Sequence, residues 1–309
     1  MPCRSEQYSQ VHVLHAYRAF CPYRQWQRTT GREPEFVISD KHCHLPERIF
    51  FTPDAAMLSF PPSFQEQASR HTMTIQITRD RHGAHVKDGQ ILLSRVLNRP
   101  GATDTLFDVL AAAVSCLSRG PRVAVLGFGA GGFLAPLRAM GCGCKIEGVD
   151  LWEEGERLFR ELSDDWAGPV EFSCREAGSW LKNRRGAYDL VLEDLSEPHP
   201  ELGACKPWAS FEELPAVIRA RLRPDGAALF NLLPWPGTSW KAILSTVSRP
   251  WAEARVIEFS DYENRLLLAG NSLESAAGLS RKISKALESI DSSLRGSCRL
   301  RTFKQDGQQ

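Results

Sequence analysis

An apolar strand runs directly into a glycine-rich turn at Val123-Ala124-Val125-Leu126-Gly127-Phe128-Gly129-Ala130-Gly131-Gly132. Glycines at this density let the chain bend sharply and let a ligand approach the backbone. The segment after it, Gly132–Met140, sets Phe133, Leu134, Leu137 and Met140 on one side of a helix. The first turn of such a helix offers free N–H groups and a positive dipole end, which suit a carboxylate or phosphate. A turn of this kind also serves close strand–helix packing, so the motif alone leaves both readings open. The next strand, Lys145–Val149, runs into Asp150, which lies 23 positions past Gly127. That is close to the spacing of about 20 for an acid that binds ribose hydroxyls. The competing reading of Asp150 is a cap on the helix that starts near Glu153.

The rest of the pattern alternates. Apolar runs at Arg122–Gly127, Lys145–Val149, Val170–Ser173, Leu190–Glu193 and Ala227–Leu232 predict strands. Helical spacing predicts helices over Thr103–Ser118, Gly132–Met140, Glu153–Leu162, Gly178–Asn183, Phe211–Arg221 and Ser239–Val247. Pro215 falls in the first turns of the fifth of these or at a kink in it. This order predicts an α/β fold with a doubly wound, mostly parallel sheet, closed by a strand pair at Ala254–Glu258 and Arg265–Ala269. Ahead of it, Thr72–Thr78, Ala84–Lys87 and Ile91–Val96 read as a small antiparallel β-meander with an Asp88-Gly89 hairpin. Behind it, Leu279, Ile283, Leu287, Ile290 and Leu294, followed by Gly296, predict an amphipathic C-terminal helix with a glycine stop. The expected organisation is therefore a poorly defined segment over 1–70 with a short strand at Phe36–Ser39, a meander over 71–100, an α/β domain over 101–270, and a helix with a tail over 271–309.

Composition narrows the class. The 309 residues suffice for a sizeable core. Lys+Arg 38 against Asp+Glu 37 gives a formal net charge of +1, which argues against a broad nucleic-acid surface. No apolar run approaches the roughly 20 residues of a membrane span, and Met1–Gln10 lacks an apolar signal core. The nine cysteines are scattered, with Cys142-Gly143-Cys144 the only close pair. Reduced thiols in a cytoplasm are the simpler expectation. His42-Cys43-His44 has no second ligand cluster at metal spacing, so no metal site is expected.

Acids recur where strands end. Arg175-Glu176-Ala177 follows the third strand, and Asp194-Leu195-Ser196-Glu197-Pro198 follows the fourth. In an open α/β sheet the ligand crevice lies at the carboxyl ends of the strands, so these acids and Asp150 are expected on one edge.

This order of strand–glycine turn–helix, Gly148-Val149-Asp150, an acid after the third strand and Asp194-x-x-Glu197-Pro198 after the fourth resembles the class I S-adenosylmethionine-dependent transferases. More narrowly it resembles their spermidine/spermine synthase branch, in which a small β-hairpin domain precedes a Rossmann-like methyltransferase fold. The likeness spans roughly residues 70–270. It implies S-adenosylmethionine, or its decarboxylated form, as cofactor. Gly127, Gly129 and Gly131 would line its methionine and ribose, Asp150 would hold the ribose hydroxyls, and Glu176 would accept from the adenine amino group. Asp194 would take a proton from an attacking amine, and Glu197 would help bind that amine.

The departures bear on the activity. Phe128 and Ala130 interrupt the branch's Gly-Gly-Gly-Asp-Gly-Gly turn, and its Asp at the Ala130 position faces the cationic aminopropyl arm. Leu92 replaces a Gln after the hairpin, and the expected Tyr-His or Tyr-Gln pair is missing near Asp104-Thr105. A buried ammonium without a countercharge is costly. Methyl transfer to an unidentified small-molecule or protein acceptor is therefore expected, ahead of aminopropyl transfer to a polyamine. A scaffold retaining the fold and a dinucleotide oxidoreductase are the readings from other classes. Asn231, His199 and the tryptophans Trp208, Trp235 and Trp240 are secondary candidates near the same rim, each with a packing or loop reading beside it. A homodimer is compatible with the sequence.

Overall fold

A computed structural model describes residues 75–199 and 202–304. The segment over 1–70, its Phe36–Ser39 strand and His42-Cys43-His44 lie outside the described residues.

Strands β1 (Ile75–Asp80), β2 (Gly83–Asp88) and β3 (Ile91–Leu97) form a three-stranded antiparallel sheet. Ala84, Val86 and Val96 are shielded from solvent and share the main hydrophobic core, so this meander packs onto the α/β domain. Helix α1 (Leu106–Leu117) then leads into the large sheet. Its N-cap, Thr105, accepts a hydrogen bond from the Phe107 N–H.

Five parallel strands carry the centre: β4 (Arg122–Leu126), β5 (Lys145–Asp150), β6 (Val170–Cys174), β7 (Tyr188–Glu193) and β10 (Leu222–Leu232). Their spatial order is β10-β7-β4-β5-β6. The order reverses between β4 and β7, which makes that point the switch where an α/β sheet opens its crevice. Strands β11 (Glu253–Phe259), β12 (Arg265–Gly270) and β13 (Cys298–Phe303) complete eight strands in the order β13-β11-β12-β10, all antiparallel. The expected α/β sheet with a preceding meander is present. Val123, Val125, Leu190, Leu192, Ala228 and Leu229 are at most 1% exposed, as continuous apolar strands buried on both faces require.

Helices α2 (Leu134–Ala139), α3 (Glu153–Ser163), α4 (Ala177–Lys182), α5 (Ala209–Glu212), α6 (Leu214–Arg221), α7 (Trp240–Ser248) and α8 (Ala276–Ser289) supply the connections. Four elements differ from expectation. The single helix over Phe211–Arg221 is two, α5 and α6. Pro215 sits in the first turn of α6, and its missing N–H stops one helix from running through. A two-stranded hairpin, β8 (Glu197–His199) with β9 (Gly203–Cys205), occupies what read as loop. The C-terminal helix stops at Ser289 rather than near Gly296. Asp291 turns the chain at φ +53°, and the Ser292 hydroxyl reaches the buried Asp108 carboxylate at 2.6 Å. The chain then returns as β13, where a tail was expected.

The turn between α2 and β5 lies at the sheet end opposite Asp150. It brings the Cys142 and Cys144 sulfurs within 3.4 Å, with an Arg138 Nη1 3.9 Å from Cys144 Sγ. The bond from Cys144 and the Arg138 charge hold the Cys142 thiol down to about 6, while Cys144 is pushed up. Iodoacetamide at pH 7 is therefore expected to modify Cys142 before Cys116, Cys205 or Cys298, whose thiols burial pushes up. Site-resolved mass spectrometry checks this; equal rates at all four would contradict it.

Candidate functional site

The glycine turn joins β4 to α2. Gly127 has φ +84° and its N–H donates to the Val149 carbonyl at 3.0 Å. A Cβ on Gly127 would stand 2.6 Å from the Asp194 carbonyl oxygen, so only glycine permits this approach of β4 to the end of β7. Gly129 is different. Its φ is +55°, yet a Cβ there would meet nothing within 4 Å. The turn is open at this point, as a backbone that receives a ligand must be. Gly131, at φ +67°, closes against Phe159 and Phe128.

Phe128 departs from the branch's glycine without obstructing the turn's open side. Its ring lies under β5 against Gly148, edge-on to Phe159 at 5.2 Å and to Phe172 at 5.7 Å, and is 3% exposed. It replaces backbone flexibility with core packing. Ala130 is fully buried in the same apolar core. A methyl group is packed where the branch keeps a carboxylate.

Asp150 ends β5 beside this turn. Its Oδ2 accepts from the Gly129 N–H at 2.6 Å and its Oδ1 from the Trp152 N–H at 3.0 Å. Burial pushes its carboxyl above the usual range, against the pull of those N–H donors. Both readings of this residue from the sequence meet here, because it braces the entry to α3 and touches the glycine turn. Each oxygen keeps a second lone pair for a ligand hydroxyl.

Glu176, at the end of β6, is the N-cap of α4. Its oxygens accept from the Gly178 and Ser179 N–H groups, both at 2.6 Å. Burial raises this carboxyl, but the helix donors outweigh it and hold the group below its usual range. Glu176 is thus a fixed anion at the crevice edge.

Asp194 follows β7 at the switch point. Its Oδ1 accepts from Asn231 Nδ2 at 2.7 Å, and Asn231 Oδ1 accepts from Asn264 Nδ2 at 2.9 Å. Asn231 therefore orients Asp194. Burial, with Glu193 and Asp150 nearby, pushes the Asp194 carboxyl up to about 6 against the opposing Lys206 charge. Glu197 is exposed on β8, and partial shielding raises its carboxyl.

Two functional-site neighbours escaped sequence reasoning. Glu193 and Lys206 are 0% and 1% exposed and pair at 2.8 Å. Glu193 Oε1 also accepts from Ser210 Oγ at 2.9 Å and the Leu195 N–H at 3.1 Å. A Glu closing an otherwise apolar strand is the one signal that marks this pair. Of the secondary candidates, Asn231 contacts Asp194, while His199 and the tryptophans are held by packing and hydrogen bonds. His199 is 1% exposed and accepts the Leu202 N–H through Nδ1 at 3.2 Å. Trp235 packs edge-on against Phe211 at 5.7 Å, Trp208 tilts on the same ring, and Arg265 covers Trp240 at 4.6 Å.

No protein-family model matches this sequence, and no curated protein is significantly similar to it. Solved structures do share the fold. A spermidine synthase in complex with the transition-state analogue AdoDATO aligns over 65% of this chain and 71% of its own, at 14% identity and TM-score 0.50. The spermidine synthase from Thermotoga maritima covers 65% of this chain and 70% of its own, at 14% and 0.49. Human methyltransferase-like protein 13, in complex with SAH, covers 60% of this chain and 89% of its own, at 18% and 0.48. The fold is that of the spermidine synthase solved with AdoDATO. Among the described residues no helix is long and apolar enough to cross a membrane.

Proposed function

We propose that this chain is a spermidine synthase-like S-adenosylmethionine-dependent transferase that moves a methyl group to a nucleophile of unidentified class. The observation that carries the reading is Asp150 at the carboxyl end of β5, touching the open Gly129 of a turn bounded by Gly127 and Gly131. That arrangement suits an adenosine whose ribose hydroxyls bind one carboxylate, with Glu176 at the adenine end. The bound sulfonium supplies the reactive methyl carbon. The chain's own task is to place an acceptor in line with it and to receive a proton. Asp194, held near neutrality and oriented by Asn231, accepts that proton from an amine acceptor, with Glu197 at the outer rim.

Ala130 favours methyl over aminopropyl transfer, because its buried methyl offers no countercharge to an ammonium and no repulsion to a carboxylate. The aminopropyl reading shares the Asp194 carboxylate at the end of β7 as its proton acceptor. Calorimetric titration with S-adenosylmethionine, decarboxylated S-adenosylmethionine and NAD separates the classes. Preference for the carboxylated sulfonium is expected. Preference for the decarboxylated form would install the aminopropyl reading, binding of NAD alone would overturn both, and binding of none would leave a scaffold.

The ribose assignment has its own test. Asp150→Ala is expected to weaken 5′-methylthioadenosine binding by about 1–3 kcal/mol. It should also abolish discrimination against the 2′-deoxy analogue. Equal weakening of both nucleosides would reduce Asp150 to a brace for the turn.

A further inference from the structure

A cavity of about 570 Å³ opens between the meander and the loop leading into α1, lined by His82, Arg95, Arg99, Gly101, Thr103 and Asp104 among others. It lies next to the start of α2. A Cβ on Gly132 would stand 3.1 Å from the Arg95 backbone nitrogen and 2.7 Å from Ser94 Oγ, and the Gly101 N–H donates to the Ala135 carbonyl. The loop side is rigid. The fully buried Asp108 carboxylate accepts from the Thr103 N–H and hydroxyl at 2.8 and 2.5 Å, the Asp104 N–H at 3.0 Å and the Ser292 hydroxyl at 2.6 Å.

Arg95 is the unusual member. Its side chain is only 9% exposed, and its Nη2 donates to Asp80 Oδ2 at 2.9 Å. Its Nη1 is buried and has no hydrogen-bond partner. An unmet donor on a buried charged group costs more than one on a neutral group. Asp80 answers the Arg95 charge incompletely, because its carboxylate also accepts from the His82 N–H at 2.7 Å and faces His85 Nε2 at 3.3 Å. Arg99 adds a second guanidinium to the wall. The acid on that wall, Asp104, already accepts from the Ser293 N–H at 2.8 Å. A guanidinium fork matches the paired oxygens of a carboxylate or phosphate.

We propose that this cavity is an oxyanion subsite, in which Arg95 Nη1 and the Arg99 guanidinium take a carboxylate or phosphate group of a small molecule bound beside the glycine turn. The subsite stands independently of the transferase reading. Only the source of its oxyanion, cofactor carboxylate or acceptor, rests on that reading.

The test titrates the full chain with inorganic phosphate, alone and in the presence of S-adenosylmethionine or 5′-methylthioadenosine. Phosphate binding is expected, weakened about tenfold or more in Arg95→Met and several-fold in Arg99→Gln. The second variant changes an exposed side chain, so it reports on the subsite even if losing the Arg95–Asp80 pair disturbs folding. If the oxyanion is the cofactor's, phosphate competes with S-adenosylmethionine but not with 5′-methylthioadenosine, which lacks the carboxylate. If it is the acceptor's, phosphate and S-adenosylmethionine bind together. Absence of phosphate binding, or binding that neither variant alters, overturns the proposal. Arginine-dependent phosphate binding without any nucleoside binding would retain the subsite and sink the transferase reading instead.

Discussion

Asp194→Asn is expected to make the ligand-free protein more stable at pH 7.5 while removing its proton acceptor. A carboxyl held at about 6 in the fold, against the ordinary aspartate value of 3.8, is a cost at neutral pH. Between pH about 4 and about 6 the unfolded chain has released a proton that the folded chain still holds. Stability therefore falls as pH rises through that window and stays low above it. A difference of this size corresponds to about 3 kcal/mol. Partial exposure of Asp194 reduces the expected gain in the variant to about 2 kcal/mol at pH 7.5, with almost none below pH 4. Asn keeps an oxygen for the Asn231 bond, so the comparison isolates the charge. Denaturant unfolding of both proteins at pH 4 and 7.5 measures it. A variant that is no more stable at the higher pH would mean that Asp194 is an ordinary solvated acid. With an amine acceptor, the same variant is expected to lose about 10²–10⁴ in turnover, as when a positioned base is removed.

Lys206→Met carries the largest expected loss. Lys206 and Glu193 are both almost fully shielded and pair at 2.8 Å. Removing the ammonium leaves the Glu193 charge buried with only the Ser210 hydroxyl and the Leu195 N–H, a change of about 3–5 kcal/mol in similar cases. Glu193 adjoins Asp194, so the variant also withdraws the one cation that lowers the Asp194 carboxyl. The double variant Lys206→Met, Glu193→Gln should recover most of the stability, because well-packed neutral groups replace a buried pair at little cost. Denaturation midpoints of the two variants decide the matter. A single variant within about 0.5 kcal/mol of the wild type would show that the pair is hydrated.

The contrast between Asp150 and Lys206 explains what the sequence could convey. The glycine turn and Asp150 are legible because each obeys a local rule: apolar strand, positive-φ glycines, acid at the next strand end. Lys206 sits between Cys205 and Pro207 with no period around it, and only the β8–β9 hairpin folds it back onto Glu193. Strand β13 was hidden for a different reason. Cys298-Arg299-Leu300-Arg301-Thr302-Phe303 is an edge strand whose arginines answer Glu258, so its alternation looks like a charged tail. The end of α8 was overrun because Ile290 and Leu294 continue the helical period. Leu294 is in fact buried at 8% exposure, but by a turn that Asp291 and Ser292 create. Phe128 shows the reverse case, a departure visible in the sequence whose meaning required the packing beneath Gly148.

A crystal of the full chain soaked with S-adenosylhomocysteine addresses the central claim most directly. The account predicts the adenosine seated against Gly129, its ribose hydroxyls on the Asp150 carboxylate and its adenine toward Glu176. Nucleoside density elsewhere, or a ribose whose hydroxyls lie away from the Asp150 carboxylate at saturating ligand, would contradict it.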